Sequence, residues 1–256
     1  MSLTGQQRRE VKSDIKKLIS RKLENFKEKD DMNKPFYFAL LSEKNVLTAS
    51  FLASLYTSLG SFWEQFAKEI AKYNFVSATK ETVRGKISTQ SRSEIDSILD
   101  ELDSKKIKPN ITREIQRIKK YNQGNKDNIS QEVDLILKDE HGRYTFFELK
   151  STKPNKNEMK AAKRDLLKLA LMKNGAKVYL GIPYNPYFSG KYKRWTVKKF
   201  FKEGDDFLIG KQFWDYLGGE NTYEDLLAIF KEVGNELEEE FQKFIDELSI
   251  NKSWRK

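Results

Sequence analysis

Asp134 and the triplet Glu148-Leu149-Lys150 combine residue types and spacing that suit a demanding reaction. Two carboxylates, one backbone carbonyl and one lysine make an oxygen-rich cluster, which is what a hard divalent cation such as Mg²⁺ prefers. Such a set suits hydrolysis of a phosphodiester. There, charge builds on the pentavalent phosphorus and on the leaving oxygen, and a cation and fixed donors must offset it. In this reading Asp134, Glu148 and the Leu149 carbonyl hold Mg²⁺. Lys150 orients the attacking water and stabilises the phosphorane charge.

The elements that must position these groups are legible in the surrounding pattern. Val133 to Leu137 reads as a strand, Asp139-Glu140-His141-Gly142 as a turn, and Tyr144 to Lys150 as the returning strand of a hairpin. Period-two alternation puts Glu148 and Lys150 on one face and turns Leu149 to the other. The bare pattern acid-x-Lys carries little information in a chain with so many charges. It recurs at Glu10-x-Lys12, Asp14-x-Lys16, Asp103-x-Lys105 and Glu158-x-Lys160. Those four lie in stretches that read as helical, where residues two apart point in different directions. The plain alternative for Glu148 and Lys150 is alternating surface charge on an edge hairpin. Their aromatic strand and its acid-bearing partner favour a site.

Two further acids join the candidates. Glu132 shares the face of Asp134 by alternation. Glu64 lies in the otherwise apolar helical run Gly60–Ile70 and would supply a supporting carboxylate. Other chemistries fit poorly. Gly204 to Lys211 resembles a phosphate-binding loop but has five intervening residues and Gln212 in place of Ser or Thr, so no nucleotide cofactor is expected. His141 is the single histidine and falls in the turn, which excludes a core Ser-His-Asp triad and a multi-histidine metal site. There is no cysteine, so thiolate catalysis and cysteine zinc sites are excluded, and a reducing interior is expected.

Around the hairpin the sequence reads as an α/β protein. Amphipathic periodicity predicts a helix through the first thirty residues, with Val11, Ile15, Leu18, Ile19, Leu23 and Phe26 on one face. Its other face carries Arg8, Arg9, Lys12, Lys16, Lys17, Arg21 and Lys22. That face would contact phosphate or simply be solvated. Further helices are expected over Val46–Ala71, around Ile95–Leu102 and over Thr112–Lys120. The run Val46–Trp63 holds too many Ser and Thr for a lipid-facing span and reads as a buried helix. A loop is expected at Asn122–Asn128. After the hairpin come a helix through Met159–Ala170 and a strand at Val178–Ile182. A long final helix over Tyr223–Leu248 carries an apolar stripe suited either to its own core or to a dimer seam. The chain is thus one unit: a mostly helical layer for DNA binding and dimerisation over 1–125, a catalytic core over 126–210 and C-terminal helices over 211–256. With 38% hydrophobic and 34% charged residues it has the composition of a globular protein. Its net charge of +10 points first to nucleic acid as partner. Met1 to Lys17 has no apolar core of a secretory signal, so a cytoplasmic location without membrane attachment is expected.

At this point the sequence resembles a type II restriction endonuclease of the PD-(D/E)xK superfamily, and more narrowly the TdeIII family. The likeness rests on Glu132-Val133-Asp134 with Phe147-Glu148-Leu149-Lys150-Ser151, on Pro183-Tyr184-Asn185-Pro186, and on Gly210-Lys211-Gln212-Phe213-Trp214-Asp215-Tyr216-Leu217-Gly218-Gly219 followed by Thr222-Tyr223. Val133 stands where the superfamily motif is named for proline, and Gln212 where an acid is expected. The resemblance implies a restriction-endonuclease-like core, a mixed β-sheet flanked by helices. It implies a Mg²⁺-dependent homodimer on double-stranded DNA that cuts a short palindrome of the GGNCC type with 5′ overhangs. For base reading the stretch Pro183–Trp195 offers Asn185, Lys191, Lys193 and Arg194. Two rivals stand beside this reading: a structure-specific repair or recombination nuclease on the same fold, and a DNA-binding protein with a decayed nuclease core.

Overall fold

A computed structural model describes residues 3–26, 34–188 and 190–248 of the chain. The chain divides into two compact units, one of residues 63–223 and one of residues 2–62 with 224–256. The division falls within a helix. The first unit holds a five-stranded mixed sheet in the order β1 (Ser77–Ser88), β2 (Lys126–Lys138), β3 (Tyr144–Leu149), β4 (Lys177–Ile182) and β5 (Phe207–Ile209). Pairing is antiparallel for β1–β2 and β2–β3, and parallel for β3–β4 and β4–β5. The β2–β3 hairpin forms as expected, with Lys138 opposite Tyr144. Gly142 takes φ 74°, which a side chain would resist, and Asp139 Oδ1 accepts both the His141 and Arg143 N–H groups.

The parallel step from β3 to β4 requires a crossover, and α6 (Lys156–Met172) provides it. Its start is fixed by a reciprocal capping box in which Asn155 and Glu158 each accept the other's backbone N–H. Met159, Ala162, Leu166 and Ala170 of α6 then bury against the sheet together with Ile95, Ile98 and Leu99 of α4 (Thr89–Asp103) and Ile118 of α5 (Ile111–Lys120). All three helices match the sequence expectation. The strand β1 does not. It interrupts a stretch expected to be mostly helical, and β2 begins inside the expected loop at Asn122–Asn128. The outer part of β1 pairs with β2 only, from Val83–Gln131 to Ser88–Lys126, as a two-stranded ribbon whose inner face packs Val83, Ile87 and Ile129 on the core.

The second unit is helical. It contains α1 (Gly5–Asn25), α2 (Pro35–Leu40), the first part of α3 (Glu43–Ala71), most of α9 (Thr222–Glu236) and α10 (Glu238–Glu247). The final helix is therefore two helices. Its apolar stripe is core: Leu226, Val233 and Leu237 are buried, and Phe241 and Phe244 pack on Phe51, with Phe244 also against Phe26. The dimer-seam alternative for this stripe is thereby excluded. Much of the basic face of α1 is engaged inside the unit, because Arg8 meets Asp225, Lys12 reaches Glu232 at 3.1 Å and Glu236 at 2.7 Å, and Lys16 reaches Glu236. Those three cations are paired within the unit. Nor is α3 buried all round, since Leu52 and Tyr56 stand exposed on it.

Lys163 of α6 is fully buried in the first unit, 2.5 Å from both Glu114 of α5 and Asp206 of the segment before β5. Removing one member of a dry ionic cluster leaves uncompensated charge, which typically costs about 3–5 kcal/mol. Lys163→Ala should therefore lower stability in urea by about that much, whereas a loss below about 1 kcal/mol would show that the carboxylates do not depend on Lys163.

Candidate active site

The sheet opens beside the candidate acids. Strands β2 and β3 pair only from Lys138–Tyr144 to Leu135–Phe147, and at Asp134 they part. Beyond the fork the Leu149 N–H has no partner on β2 backbone, and the Asp134 carboxylate takes it instead, with Oδ2 accepting at 2.8 Å. On its other edge β2 carries a bulge at the same place. The register runs Thr79–Ile136 and then Glu81–Val133, so Lys80 of β1 faces both Asp134 and Leu135. An extra residue of this kind bends the strand and re-aims its side chains.

Strand β3 continues past the fork against β4, with Glu148 opposite Leu180 and the Lys150 N–H donating to Gly181 O at 3.1 Å. The Lys150 Nζ lies 2.5 Å from Glu148 Oε1. From α3, Glu64 approaches the same cluster through Lys80, whose Nζ is 2.7 Å from Glu64 Oε2 and 3.9 Å from Asp134 Oδ1. The structure therefore brings together Asp134, Glu148, Lys150 and Glu64, and adds Lys80. Lys80 had no signal in the sequence: its strand was not apparent, and only the bulge turns it to the acids. Asp134, Glu148 and Lys150 side chains keep 18%, 16% and 26% of their surface, so they are sheltered yet reachable. Glu132 is exposed, and His141 sits in the turn away from β2 and β3 pairing. Of the four competing acid-x-Lys pairs, those at Glu10, Asp14 and Glu158 lie within α1 and α6, and Asp103 ends α4.

The electrostatics suit a cation. Burial raises the Asp134 carboxyl above its ordinary range, against the Leu149 hydrogen bond and Lys150, with Glu64 raising it further. Burial likewise raises Glu148, and the neighbouring Asp134 charge adds to the effect. Burial works to lower Lys150, but the charge and hydrogen bond of Glu148 and the charge of Asp134 outweigh it, so Lys150 stays an ammonium. Two sheltered carboxylates that disfavour each other's ionisation are relieved by added positive charge. The donor set is oxygen only, as a hard cation requires. Among the described residues no three His, Cys, Asp or Glu side chains gather as a metal cage. Two carboxylates and the Leu149 carbonyl fit an ion that keeps several waters, as Mg²⁺ does.

The loop after β4 is held from within. Asn185 Nδ2 donates to Gly190 O and its Oδ1 accepts the Tyr187 N–H, while Arg194 Nε donates to Pro154 O. Lys191 and Lys193 are exposed. The second and third sequence motifs meet here. Trp214 Nε1 in α8 (Lys211–Gly218) donates to Pro183 O at 2.8 Å, and Asp215 accepts the Tyr223 N–H.

The sequence profile of the type II restriction endonuclease family HinfI matches residues 3–234. The chain belongs to the HinfI family of type II restriction endonucleases. Among its relatives are the type II restriction enzymes HgiCII and HgiEI of Herpetosiphon aurantiacus. HgiCII is 28% identical over 78% of this chain and 77% of its own length. For HgiEI the figures are 27% identity over 80% of this chain and 79% of the relative. The type II restriction enzyme MjaII of Methanocaldococcus jannaschii is 27% identical over 70% of this chain and 53% of its own length. The HinfI assignment bears out the restriction-endonuclease resemblance, while the narrower TdeIII likeness is not what the match names. The HinfI-family enzyme is thus a site-specific deoxyribonuclease that binds double-stranded DNA, on the α/β fold expected. Type II restriction endonucleases generally use divalent metal ions. No helix among the described residues is long and apolar enough to cross a membrane.

Gly181 sets how closely β4 and α8 approach the motif. A Cβ there would lie 2.7 Å from both Leu149 Cδ2 and Phe213 Cε2, closer than packed atoms tolerate. Overpacking of this kind costs about 1–3 kcal/mol. For the HinfI-family enzyme we expect Gly181→Ala to lower the melting temperature and to reduce cleavage at saturating metal, because Leu149 must shift between Glu148 and Lys150. An unchanged rate would show that the motif does not depend on this packing.

Proposed function

We propose that the enzyme cuts both strands of a short DNA palindrome of the GGNCC type in a Mg²⁺-dependent reaction, acting as a homodimer. The observation that carries the catalytic part is the fork at Asp134, which gathers Asp134, Glu148, the Leu149 carbonyl and Lys150 around one sheltered, reachable point. In this reading Asp134, Glu148 and Leu149 O would hold Mg²⁺, which when bound offsets charge on the phosphorane and lowers the pKa of a water. Lys150 donates as an ammonium to the attacking water and to the phosphoryl oxygens. The water oxygen attacks phosphorus in line and gives up a proton to solvent, the bond from phosphorus to the 3′ oxygen breaks, and that oxygen takes a proton from solvent. Products are 5′-phosphate and 3′-hydroxyl ends. Support for a GGNCC-type site is the TdeIII resemblance. For contact with DNA beyond the site we propose the loop after β4. Its exposed Lys191 and Lys193 are the side chains best placed to reach DNA, and Asn185 and Arg194 hold its shape.

Asp134→Ala or Glu148→Ala should abolish cleavage while the protein stays folded and binds DNA in Ca²⁺. Lys150→Arg should fall at least about 10³-fold, the scale of a lost electrostatic catalyst, because a planar guanidinium cannot place one compact donor on the water. Single-turnover cleavage in Mg²⁺ checks this, and sequencing of the cut ends checks the site. Retention of more than about a tenth of the rate in an acid variant removes that residue, and Lys150→Arg within tenfold of wild type makes Lys150 a phosphate anchor.

Support for a second copy of the chain comes from an apolar surface in the helical unit. Phe36 and Leu40 of α2 are each 82% exposed and Tyr56 of α3 is 67% exposed. No charged residue lies between Lys34 and Glu43 or between Lys44 and Glu64, in a chain that is 34% charged. An uncharged apolar surface has nothing to offer a polyanion, whereas a two-fold partner presents the same patch without like charges meeting. Light scattering should give a mass near twice 30.1 kDa, and Leu40→Glu with Tyr56→Glu should halve it. A wild-type monomer both free and on DNA would sink the dimer.

A further inference from the structure

We propose that Lys80 is a positioning residue of this site, which holds Glu64 beside Asp134 so that the Glu64 carboxylate accepts from the water shell of the bound cation without joining its direct ligands. The inference rests on the reading of Asp134 and Glu148 as cation-holding groups.

Three observations carry it. First, Lys80 is the residue that the bulge turns toward the acids. Regular pairing would set one residue of β2 opposite it, and instead Asp134 and Leu135 share that place. Second, its ammonium bridges carboxylates from two different elements, at 2.7 Å from Glu64 of α3 and 3.9 Å from Asp134 of β2. Two anions that share one ammonium repel each other when that cation is removed. Third, Glu64 is the outermost acid, with a third of its side chain exposed, and Lys80 is the only ammonium or guanidinium within ion-pair distance of it among the described residues. Without Lys80, Glu64 would turn to water and leave Asp134 and Glu148 as the only acids at the site. The arrangement parallels Lys150, which holds Glu148 at 2.5 Å. Each lysine thus steadies one acid on one side of the fork.

The test compares Lys80→Met, Glu64→Gln, the double variant and Lys80→Arg in the full-length enzyme. Mn²⁺ binding to DNA-free protein is measured by calorimetry and the Mg²⁺ needed for half-maximal cleavage by single-turnover assay. We expect Lys80→Met and Glu64→Gln each to weaken Mn²⁺ binding and raise the Mg²⁺ requirement about ten- to a hundredfold, the range for lost partners of metal ligands. The double variant should be no worse than either single one, and Lys80→Arg should recover much of the loss. Melting temperatures report folding alongside. Mn²⁺ affinity unchanged in Lys80→Met would make the ion pair merely structural and overturn the proposal, and tighter Mn²⁺ binding would make Lys80 a competitor of the cation and overturn it too. Losses that multiply in the double variant would separate Lys80 from Glu64 and overturn it as well. Failure of the underlying reading looks different: Asp134→Ala would then keep its cleavage whatever Lys80 does.

Discussion

The hydrogen bond from the Leu149 N–H to Asp134 is the interaction on which the site depends. A buried backbone N–H left without a partner costs as much as a lost hydrogen bond, and one to a charged acceptor contributes about 1.5–3 kcal/mol. Strands β2 and β3 are free to part at Asp134 because its side chain takes over the role of the missing backbone carbonyl. That one substitution of partner opens space between the strands, anchors the acid, and sets Leu149 so that Glu148 and Lys150 flank it. The bulge on the β1 side and the close approach allowed by Gly181 on the β4 side secure the same point from both edges.

Two clusters in the first unit have the same composition, one lysine between two acids, and different fates. Lys163 with Glu114 and Asp206 is closed to solvent, its charges matched at 2.5 Å on both sides, so it can only hold α5, α6 and the approach to β5 together. Lys80 with Glu64 and Asp134 is open and looser, 2.7 Å to one acid and 3.9 Å to the other. A dry cluster pays its desolvation once and stays shut. An open one keeps acids exchangeable, which a metal and a phosphate both require. Exposure, more than residue type, separates the sealed cluster from the one proposed to act at the site.

The β2–β3 hairpin was legible because every level of its sequence agrees. The turn has Asp139 and Gly142 where the chain must reverse, the strand is aromatic, and alternation alone places Glu148 and Lys150 together. β1 was not legible. Its run Ser77-Ala78-Thr79-Lys80-Glu81-Thr82-Val83-Arg84 has no consistent apolar face, since Lys80, Glu81 and Thr82 are exposed in succession across the bulge. Losing β1 also lost the bulge and Lys80. The basic face of α1 misled for a related reason. Its partners Asp225, Glu232 and Glu236 lie more than two hundred residues away, so local charge pattern could not show that Arg8, Lys12 and Lys16 are already paired. The terminal stripe had the opposite fault: its spacing was right for burial, but the same spacing serves a core and a seam equally, and only Phe51 and Phe26 decide between them.

The motifs that looked most specific outside the acids turn out to be fittings of the scaffold. Trp214 fastens α8 to the Pro183 carbonyl at the end of β4, Asp215 fixes Tyr223, and Asn185 closes its own loop onto Gly190 and Tyr187. Each of these side chains uses its hydrogen-bonding capacity inside the protein. A residue so engaged shapes the platform beside β3 and has its polar groups turned into the protein, away from any base edge. In the proposed reading, base contacts would then fall to side chains that the platform carries outward, such as Lys191 and Lys193, which local packing does not constrain. That division is why the type and spacing of Asp134, Glu148 and Lys150 suggest a chemistry while the same motifs carry no recognition sequence.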